Sequence, residues 1–508
     1  MEDYPAFATS HATFEALVAD LSDPDTLVLD HAALEGMIEE RGREVLCQLM
    51  QDSLHVRAAQ DRAETGPMRG SDGELRTEKR SSHRPLKTLF GPVTVTRLAL
   101  MKHGVSGGLR PLDAWLNLPV GHHSLGVRER VAWGVANGSY EATVTDLRRT
   151  TGTTLGKRQA EELCLAAARD FFAYYEGQPA ETASSDHLLV LSFDGKGVRM
   201  RPEGLRDATR KKAAQAAGTR AKQGRQRGPH DRAPRKKHSK RMAEVACVYD
   251  LEVQSRTPEE VMRELRRAGP HQVRPRPVNK RVWASLERSV GQVVDDGFHE
   301  ALLRDEHRQR RWVTLVDAHQ DQLAAVQTMA ANVGVAVTIV IDLLHVLQYL
   351  WGAGRGLLGK DNREAVAEWV TERTERLLQG RARRVAAGMR QAATLAGLTG
   401  KRRENVDKCA DYLLKYQAYL RYDEYLRDGL PIATGVIEGA CRSLVQDRMG
   451  ITGARWGLEG AEAVLKLRSL RASGDFDDYW RFHKRQELER NHLRNYDDGE
   501  LLDLRKAA

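Results

Sequence analysis

Apolar positions follow two rhythms along this chain. From residue 186 onward short apolar runs appear, LLVLSF, AEVACVYDLEV, RWVTLVDA and VAVTIVID, too short for comfortable helices. Segments with helical spacing, LERSVGQVVDDGFHEALLRDEHRQR and QDQLAAVQTMAANVG, separate the later ones. Strands alternating with helices predict an α/β unit with some parallel strands. Residues 346–430 are almost wholly helical in pattern, rich in Arg, Ala and Leu, and interrupt the unit without adding a strand. Its last helix begins at GVIEGACRSLVQDRM, residues 435–449.

The amino-terminal part reads differently. Residues 1–80 carry Leu, Ile, Met and Val at helical spacing through HAALEGMIEERGREVLCQLMQDSLHVRAAQ, followed by ETGPMRGSDGELRTEKRSS, a polar loop. In LKTLFGPVTVTRLALM, Val93, Val95 and Arg97 alternate with Thr94 and Thr96, which predicts a strand after a Gly-Pro turn. The stretch GSYEATVTDLRRTTGTTLGKRQAEELCLAAARDF predicts a helix, a break at Thr-Gly-Thr-Thr and a second helix near Leu155. That pattern serves equally for a DNA-binding helix-turn-helix or for an ordinary helical hairpin. The expected segments are 1–80, helical; 81–185, strand plus helix-turn-helix-like; 186–345, first part of the core; 346–430, helical insertion; 431–484, carboxyl-terminal core helices; and 485–508, a charged tail expected to fray. No fixed-period repeat is present.

Composition narrows the class. The 508 residues are 41% hydrophobic and 29% charged, a globular balance, and no run of about 18 apolar residues predicts a membrane span. The start, MEDYPAFATSHATF, lacks a signal-peptide core, and the five cysteines form no C-x-x-C pair. A reducing, cytoplasmic setting is expected. The net charge of +9 is concentrated in LRDATRKKAAQAAGTRAKQGRQRGPHDRAPRKKHSKR, residues 205–241. So basic and apolar-poor a run is expected to stay mobile, either as a solvated loop or as a partner for phosphates.

Four carboxylates punctuate the strands: Asp194 in SFDGKG, Asp317 in VTLVDAHQ, Asp342 in TIVIDLLH and Glu438 in GVIEGA. Singly, each has a structural explanation as a turn residue, a helix cap or a first-turn acid. Together they make another case. Ligands of an open α/β sheet gather at the carboxyl ends of its strands. Carboxylates gathered there repel unless a cation compensates, and oxygen donors select Mg²⁺ or Mn²⁺. Two such ions would clamp the attacking and leaving oxygens of a phosphodiester. Gly195 and Gly197 would let a phosphate approach closely.

The stretches LSFDGKGVRMRPEGLRDAT, RWVTLVDAHQDQL, VTIVIDLLHVLQYLW and PIATGVIEGACRSLVQDRMGITGARWGLEGAEAVLKLRSLRASGDFDDYW, with LFGPVTVTR upstream, resemble bacterial insertion-sequence transposases of the ISKra group, relatives of the Mutator-like enzymes. The resemblance covers most of residues 85–485. It implies an RNase H-like catalytic domain, a mixed five-stranded sheet with helices, interrupted by an all-α insertion and preceded by a mainly helical DNA-binding region. It puts the catalytic, metal-holding acids at Asp194 on the first strand, Asp317 at the end of the fourth, and Glu438 after the insertion. Asp342 is the alternative second acid. With His345 it resembles the Asp-x-x-His element of the Mutator-like relatives and is expected to support the site. Trp351 reads as a core tryptophan or as a stack for an unpaired base.

The expected activity is DNA strand cleavage and strand transfer of a mobile element, with two Mg²⁺ or Mn²⁺ ions and no covalent protein–DNA intermediate. The expected partner is double-stranded DNA, the element's terminal repeats and the target. A dimer or larger assembly and association with the nucleoid follow. Lys196, Lys211, Lys212, Arg235, Lys236, Lys237, Arg442, Arg448 and Arg455 are the candidate DNA contacts. Rival readings are a nuclease of the same fold without strand transfer, a catalytically silent DNA-binding repressor, and a Mg²⁺-dependent phosphatase.

Overall fold

The computed structural model describes residues 5–178, 184, 186–222, 239–266, 273–433, 435–451 and 453–497. The chain divides into two compact units, one of residues 1–177 with 474–508, the other of residues 178–473. Among the described residues no helix is long and apolar enough to cross a membrane.

In the first unit, the helix His31–Glu64 is capped by Asp30, whose Oδ1 accepts from the Ala33 amide at 2.8 Å. It packs on an antiparallel hairpin, Glu78–Thr88 with Gly91–Met101. The expected boundary at 80/81 therefore falls inside a strand, and the loop expected over 64–82 gives way to strand at Glu78. The strand is polar because its first half is solvent-exposed on the paired ribbon. Helices Leu125–Asn137, Tyr140–Thr151, Lys157–Ala167 and Phe171–Glu176 follow, with Gly152 in the left-handed conformation closing the second.

Over residues 485–497 the tail does not fray as the sequence suggested; residues 498–508 lie outside the described residues. Phe476–Asn491 is a helix of this unit, and Leu493 and Tyr496 are buried with Leu98, Leu100 and Leu109. Its charges have partners. Asp170, buried, receives His483 Nδ1 at 2.7 Å and Arg490 Nη1 at 2.9 Å. Burial alone would push the Asp170 carboxyl up, but these donors and their charge hold it at about 2, against an ordinary 3.8. A depressed carboxyl contributes stability above its unfolded value, and loses it as pH falls from about 4 toward 2. Asp170→Asn is expected to remove about 2 kcal/mol at neutral pH and to flatten stability between those pH values, as read from urea unfolding curves across the acid range.

The second unit is built on a five-stranded mixed sheet. Its strands are β1 (Leu188–Arg199), β2 (Lys240–Leu251), β3 (Val278–Ser285), β4 (Trp312–Val316) and β5 (Val337–Ile341). Their order is β3-β2-β1-β4-β5, with β1, β2 and β3 antiparallel in turn and β1, β4 and β5 parallel. Central β1 is buried from Leu188 to Phe193, as its unbroken apolar run requires. Helix Val290–Arg304 covers one face so closely that a Cβ on Gly297 would lie 2.7 Å from the Phe193 ring. Helices Leu343–Leu358, Arg363–Leu378, Ala382–Leu395, Gly400–Lys415 and Tyr422–Arg427 follow β5. The chain then forms helix Gly435–Ala440, a π-helical turn Cys441–Gln446, and helix Leu458–Ser473.

Part of the basic run is ordered, contrary to the expectation of a mobile segment. Asp207–Lys222 is a helix, and β2 begins at Lys240. Its Ala-, Lys- and Arg-rich sequence has strong intrinsic helix propensity, which offsets the lack of apolar content. Arg235, Lys236 and Lys237 lie outside the described residues.

Candidate active site at the carboxyl ends of the parallel strands

The sheet register aligns three aspartates. Ser192 of β1 is level with Leu315 of β4, and Leu315 with Val340 of β5. Two residues past these positions stand Asp194, still within β1, and Asp317 and Asp342, each just beyond the end of its strand. The parallel register therefore brings the three to one level at the same edge of the sheet.

Each is held differently. Asp194 is half-buried; its Oδ1 accepts from the Gly195 amide at 2.6 Å and its Oδ2 from the Cys441 thiol at 3.1 Å. Asp317 is half-buried, and its Oδ1 accepts from the His319 amide at 2.9 Å. Between those two residues Ala318 adopts φ 67°, a left-handed conformation that costs a non-glycine residue energy and tends to occur at functional sites. Asp342 is buried and caps helix Leu343–Leu358, accepting from the Leu344 amide at 2.9 Å. Glu438 is exposed on helix Gly435–Ala440.

The helical segment after β5 braces this edge. Tyr422 Oη donates to the Ile341 carbonyl at 2.8 Å, Tyr425 Oη to the Ile339 carbonyl at 3.2 Å and Tyr412 Oη to the Asp317 carbonyl at 3.4 Å. Tyr412 stacks on Tyr349 at 4.1 Å between ring centroids, and His345 packs edge-on against Tyr349 at 5.6 Å. Burial, reinforced by the neighbouring phenols and Asp317, pushes the Tyr412 hydroxyl up, so it stays a neutral donor.

Two site residues were not singled out in the sequence. Glu244 pairs across β1/β2 with Gly195 and is buried. Burial raises its carboxyl, the charges of Asp194 and Asp317 raise it further, and His319 and Arg206 oppose them. The signal for it was a lone charge inside the apolar run AEVACVY. Cys441 is buried on the π-helical turn, a deviation often found at functional sites. Its thiol is pushed up first by burial and then by Asp194. It lies three residues after Glu438, a spacing that shares a helix face.

The basic candidates separate. Lys211, Lys212, Arg442 and Arg455 are exposed, and Lys196 is half-buried beside Asp194. Arg448 is buried with its guanidinium 4.7 Å from the Trp456 ring centre, so it serves the core and not a phosphate. Trp351 is half-buried, with Arg355 5.7 Å from its ring centre. The glycines do not open space for a phosphate. A Cβ on Gly195 would meet Met242 at 3.1 Å and Glu244 at 3.3 Å, and one on Gly197 would meet Lys240 at 2.9 Å. They make room for side chains of β2.

Oxygen donors at this edge suit a hard divalent cation. Their spacing does not close around one: among the described residues no three His, Cys, Asp or Glu side chains stand close enough together to hold a metal ion. Compared with protein-family models and with curated proteins, the chain matches none.

Proposed function

We propose that the chain is a DDE-type transposase of a bacterial insertion sequence, cutting and joining DNA strands on an RNase H-like sheet. The observation that carries the reading is the parallel register of β1 and β4, which ends at Ser192 and Leu315 and so brings Asp194 level with Asp317 where that pairing stops. The strand order, three antiparallel strands continued by two parallel ones, supports the same fold. Asp194, Asp317 and Glu438 are the residues that would hold Mg²⁺ or Mn²⁺. The bound ions would supply an activated attacking oxygen and charge neutralisation at the leaving one.

The chain's own residues position and neutralise. Asp194 is fixed from both oxygens, and Asp317 is presented by a strained turn braced by Tyr412. Exposed Lys211, Lys212, Arg442 and Arg455 offer counter-charge to the phosphates of the element ends and of the target. Joining paired ends calls for a dimer or larger assembly on double-stranded DNA.

The open spacing of the carboxylates favours a second reading, a DNA-binding protein without catalysis. The deciding experiment incubates the purified chain with a labelled element end, a target duplex and Mg²⁺ or Mn²⁺. Nicking followed by joined product is the expected result. Nicking without joining leaves a nuclease, and binding without nicking in either metal leaves the second reading.

A further inference from the structure

The helix His31–Glu64 is 34 residues long, yet only Asp52, Leu54 and Asp61 on it are buried. Most helical stability in a globular protein comes from packing an apolar face, so so long and open a helix has a face left to cover. Eight exposed large apolar side chains fall between residues 14 and 49, a density reached nowhere else in the described residues. Monomers rarely expose apolar surface in such concentration. On the helix Ile38, Gly42, Leu46, Leu49, Ser53 and Val56 follow one another at steps of three or four, which lines them along one stripe. Ile38, Leu46 and Leu49 are exposed, and a Cβ on Gly42 would meet nothing within 4 Å, so the backbone is open to close approach there. Helix Ala8–Leu21 runs antiparallel beside it. Asp52 accepts from the Ser10 amide at 2.9 Å, and Arg41 Nε donates to Asp20 Oδ2 at 3.1 Å. Between these ties Phe14 and Val18 stand one turn apart, both exposed.

The stripe has nearly the same spacing from either end. Reversed about the midpoint between Leu46 and Leu49, it sets Ile38 against Val56, Gly42 against Ser53 and Leu46 against Leu49. Its flank is self-complementary too. Glu39 and Arg57 each follow a stripe residue by one position, so they lie on the same side of it, and the same reversal sets one against the other. Both are exposed; Glu39 pairs with Arg43, and Arg57 donates to the Ser53 carbonyl at 3.1 Å. We propose that this face is a homodimer interface, in which helix His31–Glu64 packs antiparallel, about a two-fold axis, on the same helix of a second copy. A two-fold interface uses one patch twice and must be complementary to itself, which the reversed spacing and the Glu39–Arg57 opposition satisfy. The exposed Glu35, Glu39, Glu40 and Glu44 disfavour phosphates as the occupant. The inference uses no residue of the five-stranded sheet and does not depend on the transposase reading.

Sedimentation equilibrium of the full chain, without DNA or metal, gives the dissociation constant. The wild type is expected to be a dimer. Leu46→Glu combined with Leu49→Glu should raise the dissociation constant about 100-fold or more by placing charge at the centre of the stripe. Val28→Glu, at an exposed apolar position off the stripe, should leave it unchanged. Glu39→Lys and Arg57→Glu should each weaken the dimer about 10-fold, since the two-fold axis repeats the lost pair. The two reversals combined should restore it. Glu39 and Arg57 are about 27 Å apart along one helix, so no contact within a chain gives that rescue. A monomeric wild type overturns the proposal, as does a dimer that the two glutamates leave intact. A combined reversal no better than either single one overturns it as well. If the leucine variant fails to fold, the charge reversals still decide. Failure of any of these leaves the nicking experiment untouched, and failure to nick leaves the interface standing.

Discussion

Asp194→Ala is expected to lower the rate of DNA end nicking about 1000-fold or more, with little change in the unfolding midpoint measured without metal. The two halves of this expectation have separate causes. Asp194 is half-buried within β1, and its side chain reaches another element through the Cys441 thiol, a weak donor. Removing it therefore costs the fold little, while it removes the one acid clamped from both sides. Asp317→Ala should fall as far, because that carboxylate follows directly on the neighbouring strand β4, level with Asp194. Asp342→Ala should behave in reverse. Asp342 is buried and caps a helix, so its loss is expected to cost about 1 kcal/mol of stability and to leave more of the nicking. Nicking rates and unfolding curves of the three variants separate the roles. Loss of nicking in Asp342→Ala but not in Asp317→Ala would move the second acid to Asp342.

The parts of this site that could be read in the sequence are those whose environment is local. β1 is buried from Leu188 to Phe193 and β4 throughout, so each appears as a mainly apolar run, as does VTIVI of β5, and an aspartate at the end of such a run is conspicuous. β3 was missed because its first half is not apolar: Val278 is exposed, Asn279 has φ 49°, and only its last four residues are buried. Glu244 and Cys441 were missed for another reason. Glu244 meets Asp194's neighbour through the β1/β2 register, and Cys441 meets Asp194 across 247 residues. Neither pairing leaves a trace in local periodicity. The charged carboxyl-terminal helix misled in the opposite direction. Part of its charge is consumed inside the unit, Glu487 by Arg128 at 3.2 Å and Arg490 by Asp170. Its burial came from Phe476, Tyr479 and Trp480, three aromatics within five residues that outweigh the polar count.

The largest stability effect is expected at the other end of the same sheet. Asp250, near the end of β2, has no solvent exposure. Its Oδ1 accepts from Arg310 at 2.6 Å and its Oδ2 from Asn279 at 2.9 Å, with Arg304 at 3.8 Å. Arg310 also donates to the carbonyls of His187 and Leu188, each at 3.1 Å, where β1 begins. Arg304 in turn bonds Glu300, which meets Arg281 of β3. One carboxylate therefore ties the entry of β1, the end of β2 and the approach to β4. Asp250→Ala would leave the buried Arg310 guanidinium without its counter-charge, a loss of about 3–5 kcal/mol. Asp250→Asn should cost less, because an amide oxygen still accepts from Arg310. Replacing Asp250 and Arg310 together by apolar residues of similar size should recover much of the loss, since an absent buried pair costs far less than a broken one. Urea unfolding of the single and double variants measures the difference, and a double variant no better than Asp250→Ala would refute the ion-pair account. Asp250 is level with Leu189, five residues before Asp194 on β1, so it touches neither the acids nor Cys441. The fraction of Asp250→Ala that stays folded should accordingly keep the wild-type dependence on Mg²⁺, a result that would separate what holds the sheet from what the sheet holds.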